Sequence, residues 1–300
     1  MDQTDLNRIA EDARAASSRN RWIGRLREEP RVLVSGGFIA LLAIVAILAR
    51  YIAPHDPQAQ DLMLNTLPPA WSPNAEPGYW LGTDSLGRDV LSRMIYGSRV
   101  ALTVAFVAAI GAGIIGTTLG LLSGFFGGWI DAVVSRLVDV WMAFPPVLLS
   151  ILLVAVLGSG LSSVIIAIVV IDWTRFCRVV RAEALQQGRM DYVDAAVTLG
   201  MSRWRVLMRE VLPNVLPVVL VLLSLEMGIA VIVEAVLSFV GLSVSSGIPT
   251  WGGMIADGRQ IIYQAWWVMV FPLCLLFLTV LAFNQLGNGL RRLLDPLARR

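Results

Sequence analysis

The sequence predicts an all-α integral membrane protein with six transmembrane helices. Of its 300 residues, 56% are hydrophobic and only 15% are charged, and the mean hydropathy is +0.70, which is too apolar for an ordinary soluble domain. Long runs without a charged residue recur along the chain, and about 20 apolar helical residues cross a bilayer. The arginines are concentrated in alternate connections between these runs.

The first two predicted regions are a polar tail and a first transmembrane unit. Residues 1–31 contain seven arginines and scattered acids, and no signal peptide is visible because the first apolar run starts late and lacks a small-residue cleavage site. We expect a cytoplasmic N-terminal tail here. Residues 32–99 comprise a first span, Val32 to Ala49, and then a long proline-rich segment expected outside the cytoplasm.

Residues 100–290 are expected to form a core of five further spans. Val100 to Ile130 is free of charge and is the second span. Gly116, Gly120 and Gly124 make two small-xxx-small steps on one face of it. Helices in lipid associate by close packing, which glycine permits, so these residues are predicted to pack against a neighbouring helix.

The third and fourth spans are predicted from one long apolar run. A short polar connection containing Asp131 precedes Val140 to Ile171, which carries no charge and is long enough for two short spans. The sequence Gly158-Ser-Gly160 is expected to form the turn between them. Asp172, Arg175 and Arg178 then end the fourth span, where we expect the carboxylate to form an interfacial pair with a guanidinium group.

Two acidic residues distinguish the fifth span, Val215 to Phe239. Carboxylates at membrane depth are costly, so Glu226 and Glu234 should face protein or water and find a partner. For Glu226, a place on the translocation pathway and a structural hydrogen bond to a neighbouring helix both fit the sequence, and Glu234 is a second possible pathway residue. The sixth span follows Trp266-Trp267, and residues 291–300 are expected to be a cytoplasmic C-terminal tail.

The arginine distribution predicts the orientation. Six spans place both termini on one side, and the tails and connections on that side hold 19 of the 24 basic residues, all of them arginine. Short positively charged connections stay in the cytoplasm. Both termini and the connection between the fourth and fifth spans are therefore expected in the cytoplasm of a multi-pass membrane protein.

Composition excludes several activities. The chain has no lysine, so it lacks the residue that a phosphate-binding P-loop and a Schiff-base enzyme require. One histidine, His55, and two distant cysteines, Cys177 and Cys274, cannot make an ordinary His/Cys metal site. A histidine-dependent intramembrane protease is also disfavoured, because the single histidine lies in a loop beside the first span.

The longest polar interval in the second half is residues 191–213, within the loop 181–213. Its pattern predicts two helices joined by a turn. The first should end at Gly200, where Ser202 can cap a second helix, and Pro213 should mark the next bend. The positions that share one apolar face of the first helix are Tyr192, Ala195, Ala196 and Leu199. Periodicity alone also fits an amphipathic connector resting on the membrane surface.

Three segments carry a family resemblance. Asp194-Ala195-Ala196, then Gly200, and Pro213 after twelve more residues, resemble the EAA signature of bacterial ABC importer permeases, with Asp in place of Glu. The motif from Gly82 to Asp89, Gly-Thr-Asp-Ser-Leu-Gly-Arg-Asp, resembles the segment before the core spans in the dipeptide, oligopeptide and nickel subfamily. Residues 283–296 are also similar to this subfamily, although Asn288 and Arg292 stand where acidic residues are common.

The resemblance implies a MetI-like type I importer permease whose 191–213 loop docks on a cytoplasmic ATPase. The implied partners are a homologous permease subunit, two cytoplasmic ABC ATPases, an extracytoplasmic solute-binding protein and the lipid bilayer, with no nucleic acid. This chain would bind no cofactor and catalyse no reaction, because ATP and Mg would lie on the ATPases. The residues implied in coupling are Tyr192, Asp194, Ala195, Ala196, Leu199, Gly200 and Pro213.

The alternative function is an ATP-independent secondary transporter or channel subunit. Such proteins often show inverted repeats with broken, charged spans, and no internal repeat of that kind is visible in the sequence. The solute itself cannot be read from the chain. The resemblance leaves open a dipeptide, a longer peptide, a glutathione-like compound, an opine or chelated nickel.

Overall fold

The structure, a computed structural model, describes residues 29–243 and 247–294, so most of both predicted tails lies outside the described residues. Within those ranges the regular structure is helical, with one isolated bridge between Thr83 and Asp89. The helices are α1 Pro30–Ile47, α2 Ala49–Ile52, α3 Val90–Phe126, α4 Gly128–Met142, α5 Pro146–Leu157, α6 Leu161–Gln187, α7 Asp191–Thr198, α8 Arg203–Val206, α9 Leu212–Phe239, α10 Trp251–Gln260 and α11 Trp267–Leu294, with a 3₁₀ turn at Leu62–Leu64 and a π-helical turn at Leu207–Val211.

Four described helices are long and apolar enough to cross a membrane. They are α1, α3, the continuous helix Arg203–Phe239 and α11. A fifth crossing results if α4 and α5, which meet at an angle of 87°, form one broken span. The predicted all-α membrane architecture is confirmed at this level, and the count of six spans stays a prediction.

The contact between α3 and α6 is made by the predicted glycine face. Gly116, Gly120 and Gly124 lie against the backbone of α6 at Trp173, Cys177 and Arg181 respectively. A β-carbon on Gly120 would lie 2.7 Å from the Cys177 carbonyl oxygen and 2.9 Å from Val180 Cβ. The two backbones therefore touch where a larger residue would hold them apart, which confirms the predicted packing role.

Two boundaries differ from the sequence-based prediction. Asp131, expected in a polar connection, lies inside α4, because Arg181 donates to its carboxylate at 2.5 and 2.6 Å and Ser123 donates at 2.7 Å. These bonds join α3, α4 and α6 and satisfy the acid within a helix. Asp172 and Arg175 lie halfway along α6, since that helix continues to Gln187 rather than ending near residue 171. The predicted turn at Gly158–Gly160 separates α5 from α6 and is confirmed.

The remaining long helices pack around a second part of the core. Ile39 of α1, Ala101 of α3, Val231 of α9 and Phe283 of α11 are buried in one hydrophobic cluster. Close packing of these side chains fills the space between the four helices, which stabilises helix association in lipid. The N-terminal helix α1 is thereby joined to α9, the helix that follows the predicted coupling loop, and to α3 and α11.

We expect Gly120→Ala to destabilise the subunit. The added methyl group would meet backbone atoms of α6, which cannot move aside as a flexible side chain does, so the free energy of unfolding should fall by about 1–3 kcal/mol. Unfolding of the purified protein in a detergent titration measures the change.

The matched control is Gly37→Ala in α1, where no atom lies within 4 Å of the added carbon. Alanine also has the higher helix propensity, so this variant should equal or exceed the wild type by up to about 1 kcal/mol. Equal losses in the two variants would contradict the close α3–α6 contact.

Candidate functional site at the elbow and the polar clusters

The predicted helix-turn-helix is present, and we call residues 191–206 the elbow. Its first helix, α7, ends at Thr198. Gly200 has φ +86°, a left-handed conformation that glycine adopts without strain, and the Met201 amide donates to the Ala196 carbonyl at 3.1 Å. This is the closed turn expected of a helix that stops at a glycine.

Side chains of the elbow attach α7 to both neighbouring long helices. The Tyr192 hydroxyl donates to Gln187 at the end of α6, 2.7 Å away, and accepts from Asn214 near the start of α9 at 3.3 Å. Burial raises the pKa of Tyr192, with a further increase from Glu210 and Glu183, so the hydroxyl keeps its proton at neutral pH. The elbow is thus fastened to both α6 and α9.

The four residues of the predicted apolar face do not lie on one exposed surface. Ala196 is buried with Val193 in a cluster that also contains Val206, and Tyr192 is half-buried. Ala195 is exposed, as is Leu199, whose exposed fraction is 85%. The inward pair covers the start of the second helix. The outward surface of α7 and its C-cap is therefore formed by Asp191, Asp194, Ala195, Val197, Thr198 and Leu199.

The second helix continues into the membrane without the separate bend predicted at Pro213. Ser202 holds the N-cap position of α8 but makes no side-chain capping bond. The helix passes through the π-helical turn Leu207–Val211 and enters α9. Proline lacks an amide hydrogen and cannot close a regular turn, so the wider turn just before Pro213 takes up the irregularity.

A buried acidic pair lies at the middle of the membrane helices. Arg175 Nη1 donates to both carboxylate oxygens of Glu226, at 3.3 and 3.2 Å, which joins α6 to α9. Asp172 is buried one turn before Arg175 on the same helix. Arg175 therefore pairs with an acid from another helix, not with Asp172 in the interfacial pair that the sequence suggested.

Glu234, the second acid of α9, has a different environment. It is almost fully buried and accepts hydrogen bonds from Ser238 at 2.5 Å and Ser243 at 3.3 Å. The Ser243 carbonyl in turn accepts from the Gly160 amide at 2.9 Å. These contacts tie the end of α9 to the α5–α6 turn, and they favour a structural role for Glu234.

The Gly82–Asp89 motif folds around Asp84. The Asp84 carboxylate accepts from the Arg88 side chain at 2.7 Å and lies 3.6 Å from Arg93 of α3. Both arginines also face Asp257 of α10, at 3.3 and 3.8 Å. The motif is thereby fixed to the connection between α9 and α11.

Sequence reasoning missed the role of Asp257 and of two tryptophans. The Trp267 indole is buried and donates to the Thr83 carbonyl at 3.1 Å. Trp251 donates to the Met94 carbonyl at 3.0 Å. The available signal was Thr250-Trp-Gly-Gly, in which Thr250 caps α10 through the Gly253 amide.

We expect Asp84→Asn to destabilise the subunit by about 3–5 kcal/mol, because the substitution leaves two buried guanidinium groups without their shared acid. Asp257→Asn should cost about 1 kcal/mol or less, since Asp257 is half-exposed and its pairs are screened by solvent. Detergent unfolding of both variants checks the order, and a larger loss for Asp257→Asn would contradict this arrangement.

Comparison with known proteins defines the class. Residues 116–300 match the family described as binding-protein-dependent transport system inner membrane component, and residues 19–69 match the N-terminal TM domain of oligopeptide transport permease C. The chain belongs to the family of binding-protein-dependent transport system inner membrane components, in its dipeptide and oligopeptide branch.

Curated relatives agree along nearly the whole chain. A glutathione transport system permease protein, GsiD, of Pectobacterium atrosepticum is 38% identical over 92% of this chain and 89% of its own length. A dipeptide transport system permease protein, DppC, of Alkalihalophilus pseudofirmus is 42% identical over 75% of this chain and 73% of its own. Both are therefore permeases of the same general organisation.

Solved structures show the fold. An inward-facing form of the MetNI methionine ABC transporter superposes with a TM-score of 0.58 at 20% identity, over 68% of this chain and 96% of that one. An amino acid ABC transporter chain superposes with a TM-score of 0.53 at 18% identity, over 67% of this chain and 94% of that one. At these identities the likeness concerns the fold alone, and it bears out the predicted MetI-like architecture.

Proposed function

We propose that this chain is the membrane-spanning permease subunit of an ATP-driven importer of dipeptides, oligopeptides or related small solutes such as glutathione. The observation that carries the proposal is the elbow, an exposed helix fastened to the ends of two long membrane helices by Gln187, Tyr192 and Asn214. Two curated relatives are named as glutathione and dipeptide transport system permease proteins, which supports a peptide-like solute for this chain.

The proposed topology has six spans with both termini in the cytoplasm of a bacterial inner-membrane protein. The bent pair α4–α5 and the polar helix α6 serve as the third and fourth spans. This arrangement places the elbow on the side that holds most of the 24 arginines. An ATPase in the cytoplasm can then reach α7.

The proposed assembly contains this chain, a homologous permease subunit, two cytoplasmic ABC ATPases and an extracytoplasmic solute-binding protein. ATP and Mg act on the ATPases, and no cofactor is assigned to this chain. The chain itself supports this division, because it has no lysine for a P-loop.

The elbow transmits force as a rigid element. When ATP draws the two ATPases together, the outward surface of α7, with Asp194, Ala195 and Leu199, moves with them. The buried side of α7, with Val193 and Ala196, passes that motion to α6 and α9. Coupling of this kind requires that the elbow have two discrete positions. Both the ATPases and the membrane helices must shift the equilibrium between those positions.

Replacing Leu199 tests the docking surface. Leu199→Ser should reduce recovery of the ATPases with the affinity-purified permease by roughly tenfold, because an exposed apolar contact residue of this size contributes about 1–2 kcal/mol at an interface. The matched control is Met63→Ser in the outer loop, where the exposed fraction is 89%. Equal recovery of ATPases with both variants would remove α7 as the docking element.

Replacing Gly200 tests force transmission. Gly200→Val forces a β-branched residue into a left-handed conformation with φ +86°, although no atom lies within 4 Å of the added carbon. We expect the variant to insert and to bind the ATPases, with ATP hydrolysis retained and ATP-dependent uptake lost. Uptake and hydrolysis are measured in proteoliposomes that contain the complete transporter.

The reference for that experiment is Gly37→Val, which adds the same side chain where no left-handed conformation is required. Normal uptake by Gly200→Val would contradict the elbow mechanism. Uptake by the wild type that continues without ATP would instead support a secondary transporter or channel.

A further inference from the structure

The cytoplasmic half of α6 carries a polar stripe on its exposed side. Arg175, Arg178, Ala182 and Gln186 are spaced at i, i+3, i+7 and i+11, which places them on one face of the helix, and all four are partly or fully exposed. We call these four residues the α6 stripe. The opposite face of α6 packs on the glycines of α3.

Other long helices expose apolar side chains instead. Leu216 and Leu220 are exposed on α9, and Leu273 and Phe277 are exposed on α11. Such faces suit lipid or an apolar partner. Guanidinium groups at membrane depth are costly against acyl chains, so the α6 stripe faces water or polar protein groups.

At the membrane end of the stripe, Arg175 has an unused edge. Its side chain is 40% exposed, and only Nη1 is engaged, with Glu226. In the part of the chain that the structure describes, Nε and Nη2 have no hydrogen-bond acceptor. Arginine presents its donors in a planar fork that matches the two oxygens of a carboxylate.

One buried acid holds this guanidinium in place. Glu226 is only 2% exposed and the nearby Asp172 is also buried, so neither acid is open to a solute in this conformation. Because Glu226 of α9 engages Nη1 alone, the Nε and Nη2 donors stay free for another carboxylate. Glu226 therefore acts as a positioning residue, and Arg175 is the group that a solute can reach.

We propose that the open edge of Arg175 binds the free carboxylate of the transported solute, and that the α6 stripe lines the aqueous path from that point to the cytoplasm. The inference rests on the proposed function and adds a recognition element to it. Any peptide with a free C-terminus carries the required group.

The other three residues of the α6 stripe would allow the solute to leave Arg175 and reach the cytoplasm. Arg178 is paired with Asp139 of α4 at 3.3 Å, and Ala182 and Gln186 are uncharged. A carboxylate that leaves Arg175 therefore meets no second unpaired arginine among the described residues of the stripe. A path that binds at one point and holds weakly beyond it allows the solute to leave.

Uptake of two peptide libraries tests the carboxylate role. Proteoliposomes containing the complete transporter and its solute-binding protein receive a mixed dipeptide library, once as free acids and once as C-terminal amides, and uptake is measured by mass spectrometry. Arg175→Gln should lower uptake of the free acids at subsaturating concentration about tenfold or more through a higher KM, with amide uptake unchanged. Arg136→Gln, an exposed arginine of α4, should change neither.

A double variant guards against misfolding. Arg175→Gln alone leaves Glu226 buried without its cation, whereas Arg175→Gln/Glu226→Gln removes both charges and should show the same selective loss. Equal reduction of free acids and amides in both variants, or no reduction in either, overturns the carboxylate role. Absence of ATP-dependent uptake of both libraries by the wild type overturns the proposed peptide transport itself, and this inference with it.

Cysteine labelling tests the aqueous path without any solute. In a Cys274→Ser background, Ala182→Cys and Gln186→Cys should react with a water-soluble methanethiosulfonate added to inside-out vesicles without ATP. Leu220→Cys, on the apolar face of α9, should not react. Failure of both stripe positions to react overturns the aqueous path.

Discussion

The backbone contact between α3 and α6 is the constraint on which the rest of the structure depends. Three glycines, Gly116, Gly120 and Gly124, allow the carbonyl groups of α6 to lie against α3. Because one face of α6 is fixed in this way, its opposite face is directed away from α3, and the elbow that follows Gln187 has a defined starting direction. Helices in a bilayer gain little from burying apolar surface against each other, so close packing of this kind has an unusually large share in setting their arrangement.

Ion pairs attach two further helices, α4 and α9, to the α3–α6 pair. Successive arginines of α6 meet acids of different helices: Arg175 meets Glu226 of α9, while Arg178 and Arg181 meet Asp139 and Asp131 of α4. An unpaired charge at membrane depth is costly, so each pair restricts how far its two helices can separate or slide. The same α6 thereby connects the middle of the membrane to the elbow, and a movement of the elbow must reorganise these contacts or carry them along.

Local sequence signals predicted the structure correctly where a single residue type decides the backbone conformation or the closeness of two helices. The glycine face of α3, the turn at Gly158–Gly160 and the end of α7 at Gly200 were all predictable, because glycine alone permits those backbone positions. Prediction failed where polarity suggested a connection. Asp131 appeared to interrupt the helices, yet it lies within α4, because Arg181, distant in sequence, satisfies it. Similarly, proximity in the sequence suggested that Arg175 pairs with Asp172 on the same helix, but Arg175 pairs with Glu226 of α9.

The sequence by itself determined the membrane class, the helical architecture and the family, because hydropathy and short motifs depend on residues close together in the chain. Only the tertiary structure decided which side of each helix is open. Periodicity placed Tyr192, Ala195, Ala196 and Leu199 on one face, but packing turned Ala196 inward and left Ala195 and Leu199 outward. The physical reason is that burial depends on neighbours supplied by distant segments, here the start of the second elbow helix, and no local pattern records where those segments fold back.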